Sequence, residues 1–108
     1  MLTQVTDATF ADQVLHAPGL VLVDFHSPDC APCEAMLPAL EAIAREQDGK
    51  LTVCKIDIAE NPVAPADAGV RSVPTVMLFS GGRSVRTISG AADKARLLRE
   101  IEIELQAA

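Results

Sequence analysis

Apolar residues run almost unbroken from Leu20 to Phe25, with Asp24 the one polar interruption, and such a run reads as a buried strand. Ser27-Pro28-Asp29 breaks it, and helical periodicity follows: Met36, Leu40, Ile43 and Ala44 make one apolar face of a helix from about Pro32 to Gln47. Pro38 falls inside that helix and should kink it, because it removes a hydrogen bond and crowds the preceding turn. Asp48-Gly49 closes it. Upstream, Met1 to Val5 is a weakly apolar strand candidate. Asp7 is placed to cap a helix over Ala8 to His16 that buries Phe10, Val14 and Ala11, and Pro18-Gly19 ends it. Downstream, Leu51 to Ile58 is a second strand, and Asn61-Pro62 caps a short helix that ends near Gly69, with proline at the first helical position. Val73 to Phe79, the turn Ser80-Gly81-Gly82 and Ser84 to Ser89 form a hairpin. Asp93 caps a last helix whose stripe is Leu97, Leu98, Ile101 and Leu105; Ile103 lies off the stripe and should be exposed.

The order β-α-β-α-β-α-β-β-α describes an α/β chain. Helices long enough to cross over make the early strands parallel, and the hairpin makes the last pair antiparallel. A central mixed sheet covered by helices on both faces is the economical packing. No linker or repeat interrupts the pattern, so residues 1–108 are read as one domain.

Charge narrows the partners. The chain carries a net −6, and residues 1–44 hold Asp7, Asp12, Asp24, Asp29, Glu34 and Glu41 with no Lys or Arg. Residues 45–108 balance nine bases with nine acids, so the excess sits in one half. Nucleic acid is repelled by such a surface. No apolar run approaches the roughly 18 residues of a membrane span, and the first residues lack the basic start and apolar centre of a signal peptide. A cytoplasmic address follows by default.

The candidate chemistry is Cys30-Ala31-Pro32-Cys33. Two cysteines three apart at a helix start face the same way at a separation that a disulfide can span. The helix N-terminus favours negative charge and stabilises the thiolate of Cys30, the exposed member of the pair. Inert core cysteines fit poorly with the loop residues Pro28 and Asp29. A zinc site fits poorly too, since only His16 and His26 remain to complete it, at no common spacing. Cys54 lies mid-strand and reads as a buried, inert thiol.

Asp24-Phe25, Cys30-Ala31-Pro32-Cys33, Pro38, Lys55, Val73-Pro74-Thr75 and Gly90 stand in the order and spacing of the thioredoxin family, which the whole chain resembles. The resemblance implies the thioredoxin fold, a five-stranded sheet of order 1-3-2-4-5, and exchange of a dithiol for a partner's disulfide. It implies Cys30 as nucleophile, Cys33 as resolving thiol, and a Cys30–Cys33 disulfide in the oxidised form. Asp24 becomes a general base for Cys33, with Lys55 as its cationic partner; a strand-end acid and a snorkelling surface lysine are the plainer readings. Pro74 becomes a cis-proline facing the cysteines. Ser72, Val73, Pro74, Gly90 and Ala91 with Ala31 and Pro32 become a shallow substrate groove in which Val73 pairs with an extended segment.

No cofactor or metal is implied. The partners implied are disulfide-containing proteins and a thioredoxin-reductase-type electron donor, with a monomer expected. The chain departs from the family at Asp29 and His26, where tryptophans are usual, at Ala31 for glycine and at Glu34 for lysine. His26 is read as packing beneath the active-site loop rather than shuttling protons. Asp29 and Glu34 oppose formation of the Cys30 thiolate. Two rivals to a general oxidoreductase are a redox-silent binding module using the same groove and a dedicated reductant of one partner enzyme. The second cysteine argues against the first rival.

Overall fold

The computed structural model describes residues 2–107, so Met1 of the first expected strand lies outside the described residues. Five strands form one sheet: β1 (Thr3–Gln4), β2 (Leu20–His26), β3 (Leu51–Asp57), β4 (Thr75–Ser80) and β5 (Arg83–Ser89), ordered β1-β3-β2-β4-β5. β3 runs parallel to both β1 and β2, whereas β4 runs antiparallel to β2 and to β5. This is the thioredoxin fold, with the strand order that the resemblance implies. The helices are α1 (Ala31–Glu46), α2 (Val63–Ala68) and α3 (Lys94–Ala107), preceded by a π-helical turn at Ala11–Leu15. Among the described residues no helix is long and apolar enough to cross a membrane.

Period-two alternation divides the strands between two cores. Leu20, Leu22, Val53, Val76 and Leu78 face Met36, Leu40, Ile43 of α1 and Leu97, Ile101 of α3. Val21, Val23, Phe25, Cys54 and Ile56 face Phe10, which precedes the π turn, Val14 within it and Ala64 of α2. Leu40 has no exposed surface, and truncating a leucine so buried costs about 2–5 kcal/mol. Arg86 of β5 reaches α3 with a fork, Nε to Glu104 at 2.8 Å and Nη1 to Glu100 at 2.9 Å. Lys94 joins α3 to Glu46 of α1. Gly81 and Gly82 both take positive φ in the β4–β5 turn, as a tight hairpin turn matched to strand twist requires.

Three local expectations change. The first helix is a π turn closed by His16 N–H to Ala11 C=O at 2.8 Å, and that five-residue span turns Ala11 out to solvent while Phe10 and Val14 stay in. Asp7 caps α2 rather than its own segment: its carboxylate accepts from Val63 N–H at 3.1 Å and Ala64 N–H at 2.8 Å. Asn61 supports that contact instead of capping, accepting Asp7 N–H at 2.9 Å. By contrast Asp93 caps α3 as expected, through Arg96 N–H at 2.9 Å, and α1 continues through Pro38. Ile103 is exposed.

Candidate functional site

β2 delivers the chain to the tip of α1 through Ser27-Pro28-Asp29. Asp29 turns it with φ 59°, a left-handed conformation that Asp tolerates better than most side chains. The reversal leaves Cys30 extended at the N-cap. Its Sγ accepts Cys33 N–H at 3.2 Å, and its carbonyl accepts Glu34 N–H at 3.1 Å. The sulfur therefore occupies the place of a capping oxygen, against amides that carry the positive end of the helix dipole.

Cys30 and Cys33 are joined as a disulfide with Cα atoms 5.2 Å apart. Cys30 is the less covered of the two, yet only 8% exposed against 3% for Cys33. The expectation of an openly exposed Cys30 is thus corrected for this disulfide form. Its sulfur folds back over the helix start as cap and bonded partner instead of projecting outward.

Strand register brings the second half of the candidate site to the same end of the sheet. Phe25 pairs with Thr75, and Thr75 with Ser89, so Ser72–Pro74 and Gly90–Ala91 border the loop that holds the cysteines. The Val73–Pro74 bond is cis. Gly90 N–H donates to Pro74 C=O at 2.8 Å, and the Thr75 hydroxyl donates to Ser72 C=O at 2.7 Å. Val73 N–H and C=O enter no hydrogen bond among the described residues. Ala31, Pro32, Ser72 and Ala91 are exposed, Val73 and Gly90 half-buried and Pro74 buried, so of the residues expected to form a groove all but the proline are at least partly accessible.

Behind the disulfide lies a cavity of about 460 Å³ lined by Cys33, Asp24, Lys55, His26, Asp57 and Pro38 among others. Asp24 is 1% exposed, and neither carboxylate oxygen has a hydrogen-bond partner among the described residues. Burial pushes its carboxyl up to about 6, with the Lys55 ammonium opposing. Lys55 stands directly across from Asp24 in the β2–β3 register. His26 is half-buried, with Nε2 sealed and unpartnered. Burial holds its imidazole below the ordinary range; Asp57 raises it in part and Lys55 lowers it further. Cys54 faces the opposite core, where burial pushes its thiol up to about 11, which suits an inert side chain.

The sequence reading did not gather His26 and Asp57 into this cavity. The signal was available: Asp24 and His26 on β2, and Lys55 and Asp57 on β3, are alternate residues and so share a sheet face.

A family model described as Thioredoxin matches residues 1–103. The chain is 42% identical over 102 residues to Thioredoxin 1 of a Nostoc species, covering 94% of this chain and 95% of that one. It is 46% identical over 96 residues to a thioredoxin of Pseudomonas aeruginosa, covering 89% of each. It is also 47% identical over 98 residues to a bifunctional thioredoxin reductase/thioredoxin of Mycobacterium leprae, covering 91% of this chain and 21% of that protein.

Proposed function

This chain belongs to the thioredoxin family and is a dithiol–disulfide oxidoreductase; from that premise we propose how its own residues divide the reaction. Cys30, as thiolate, attacks a client disulfide and forms a mixed disulfide. Cys33 then attacks Cys30 Sγ; the Cys30–Cys33 bond forms, the bond to the client breaks, and the client leaves reduced. Two electrons pass from the dithiol to the client. Asp24 takes the proton of Cys33 through the cavity they share, and Lys55 opposes the burial that would otherwise keep Asp24 protonated. Val73, whose backbone groups are free, pairs with the client segment across the cis-proline, and Ala31, Pro32, Ser72, Gly90 and Ala91 border it.

The observation that carries this reading is one sulfur capping the helix tip, bonded to a second that opens onto a cavity with a buried carboxylate. Residues 1–108 act as one domain and, on this reading, as a cytoplasmic monomer. A reductase of the thioredoxin-reductase type returns electrons to Cys30–Cys33, a reading supported by the relative in which the two activities share a chain. Insulin reduction with dithiothreitol tests the assignment. Wild type accelerates it, Cys30→Ser abolishes the acceleration, and Cys33→Ser accumulates mixed disulfides. Full activity in Cys30→Ser would remove Cys30 as the nucleophile, and no acceleration by wild type over dithiothreitol alone would return the chain to the redox-silent binding alternative.

A further inference from the structure

A proton arriving at Asp24 has no direct way out. Both carboxylate oxygens are sealed from solvent and hydrogen-bonded to no group among the described residues. Two residues further along β2, on the same face and roughly 7 Å away by strand geometry, His26 lines the same cavity. Its imidazole is divided between two environments. Nε2 is sealed without a partner, whereas Nδ1 is not among the sealed atoms and the residue as a whole is half-exposed.

We propose that His26 is the exit relay of the resolving step, passing the Cys33 proton from Asp24 to solvent. This rests on Asp24 being the base. Cys33 S–H gives its proton to Asp24, and the thiolate displaces the client from Cys30. Once the Cys30–Cys33 bond is open, as it is in the mixed disulfide, one water between the two side chains carries the proton from Asp24–H to His26 Nε2, and His26 releases a proton from Nδ1. Asp24 ends ionised and His26 neutral, the imidazole proton having moved from Nδ1 to Nε2, so the tautomer resets before the next turnover.

The other charged groups facing the cavity do not substitute. Lys55, across from Asp24 on β3, is a cation with no site to accept a proton. Asp57 is held by its bond from Ala59 N–H at 2.8 Å. Glu34 and Glu41, from α1, are exposed and lead to solvent without reaching the sealed oxygens. Burial disfavours the imidazolium, so His26 holds the proton only in passing. This reading differs from the sequence expectation, in which His26 packs beneath the active-site loop rather than shuttling protons.

The test is stopped-flow reaction of the reduced full chain with dithionitrobenzoate. The first thionitrobenzoate released reports attack by Cys30 and the second reports resolution by Cys33. His26→Gln and His26→Phe should slow the second phase about tenfold more than the first, less than the roughly 10²–10⁴-fold of a group that itself takes the proton from the reacting atom. They should also remove one inflection from its pH profile, and added imidazole should restore the rate in His26→Ala. Unchanged second-phase rates and profile in His26→Gln and His26→Phe overturn the relay. So does equal slowing of both phases with a lowered melting temperature, which is a structural effect. Asp24→Asn separates the two claims. If it slows resolution while the His26 variants do not, only the relay falls; if it leaves resolution untouched, the base falls and the relay with it.

Discussion

Asp24 and Lys55 are direct partners in the β2–β3 register, yet no hydrogen bond or ion pair joins their side chains among the described residues. The lysine acts on the carboxylate through the cavity rather than by contact. Burial outweighs it, and the carboxyl titrates near 6 instead of 3.8. A closed pair would have held the carboxylate ionised and unable to take a proton.

That arrangement costs stability, with a definite sign. The folded carboxyl binds its proton more tightly than the unfolded one, so the cost is absent below about pH 3.8 and complete above about pH 6. A shift of that size is roughly 3 kcal/mol. Asp24→Asn should therefore gain stability over wild type by roughly that much between the two limits. Urea unfolding of both proteins at pH 3.5 and pH 7.5 checks it, and a pH-independent difference would refute the linkage.

Asp7→Ala should destabilise the protein by about 1 kcal/mol, up to about 2, since two α2 amides lose their acceptor. Amide exchange at Val63 and Ala64 should quicken more than in the core strands. Protection unchanged at those two amides would show that the carboxylate does not hold them.

Much of this fold was legible because its determinants are local. The Leu20–Phe25 run, the Met36–Ile43 stripe and the Gly81-Gly82 turn each specify an element from neighbouring residues alone. Asp93 was read correctly for the same reason, its cap lying three residues away. Asp7 was not, because its true partners stand 56 and 57 residues downstream and meet it only once β1 has paired with β3. The π turn escaped because its phase differs from an α-helix by less than one residue per turn. At the candidate site, Cys30, Cys33 and Asp24 announced themselves by residue type. The burial of Cys30 and the sealed nitrogen of His26 depend on packing across the sheet end, which no stretch of sequence carries.

Asp29→Asn should raise the reactivity of Cys30. Asparagine also tolerates the left-handed turn, so the change removes charge while keeping shape. At an assumed ~7 Å a unit charge costs the thiolate about 0.6 kcal/mol in water and about 2.4 at an effective dielectric of 20. Asp29 is exposed, so the screened value applies and the thiolate fraction should rise roughly threefold. Iodoacetamide alkylation of the reduced protein across pH measures it; slower alkylation would contradict the argument.

Gly82→Ala should be more damaging than Gly81→Ala. Both positions have positive φ, but a Cβ at 82 would lie 2.8 Å from the Leu15 carbonyl oxygen, whereas one at 81 meets nothing within 4 Å. The shared conformational cost is about 1–2 kcal/mol, and only the first adds a collision with backbone. Equal melting temperatures for the two variants would count against the close approach.

Because the reacting sulfur is also what the Cys33 amide leans on, inactive controls at position 30 are not interchangeable. Serine leaves an oxygen in reach of that amide and a first turn still held, whereas alanine strips both the chemistry and the fastening. A lost client interaction in the alanine protein would then mix a missing bond with a frayed helix start, and only the serine protein isolates the chemistry.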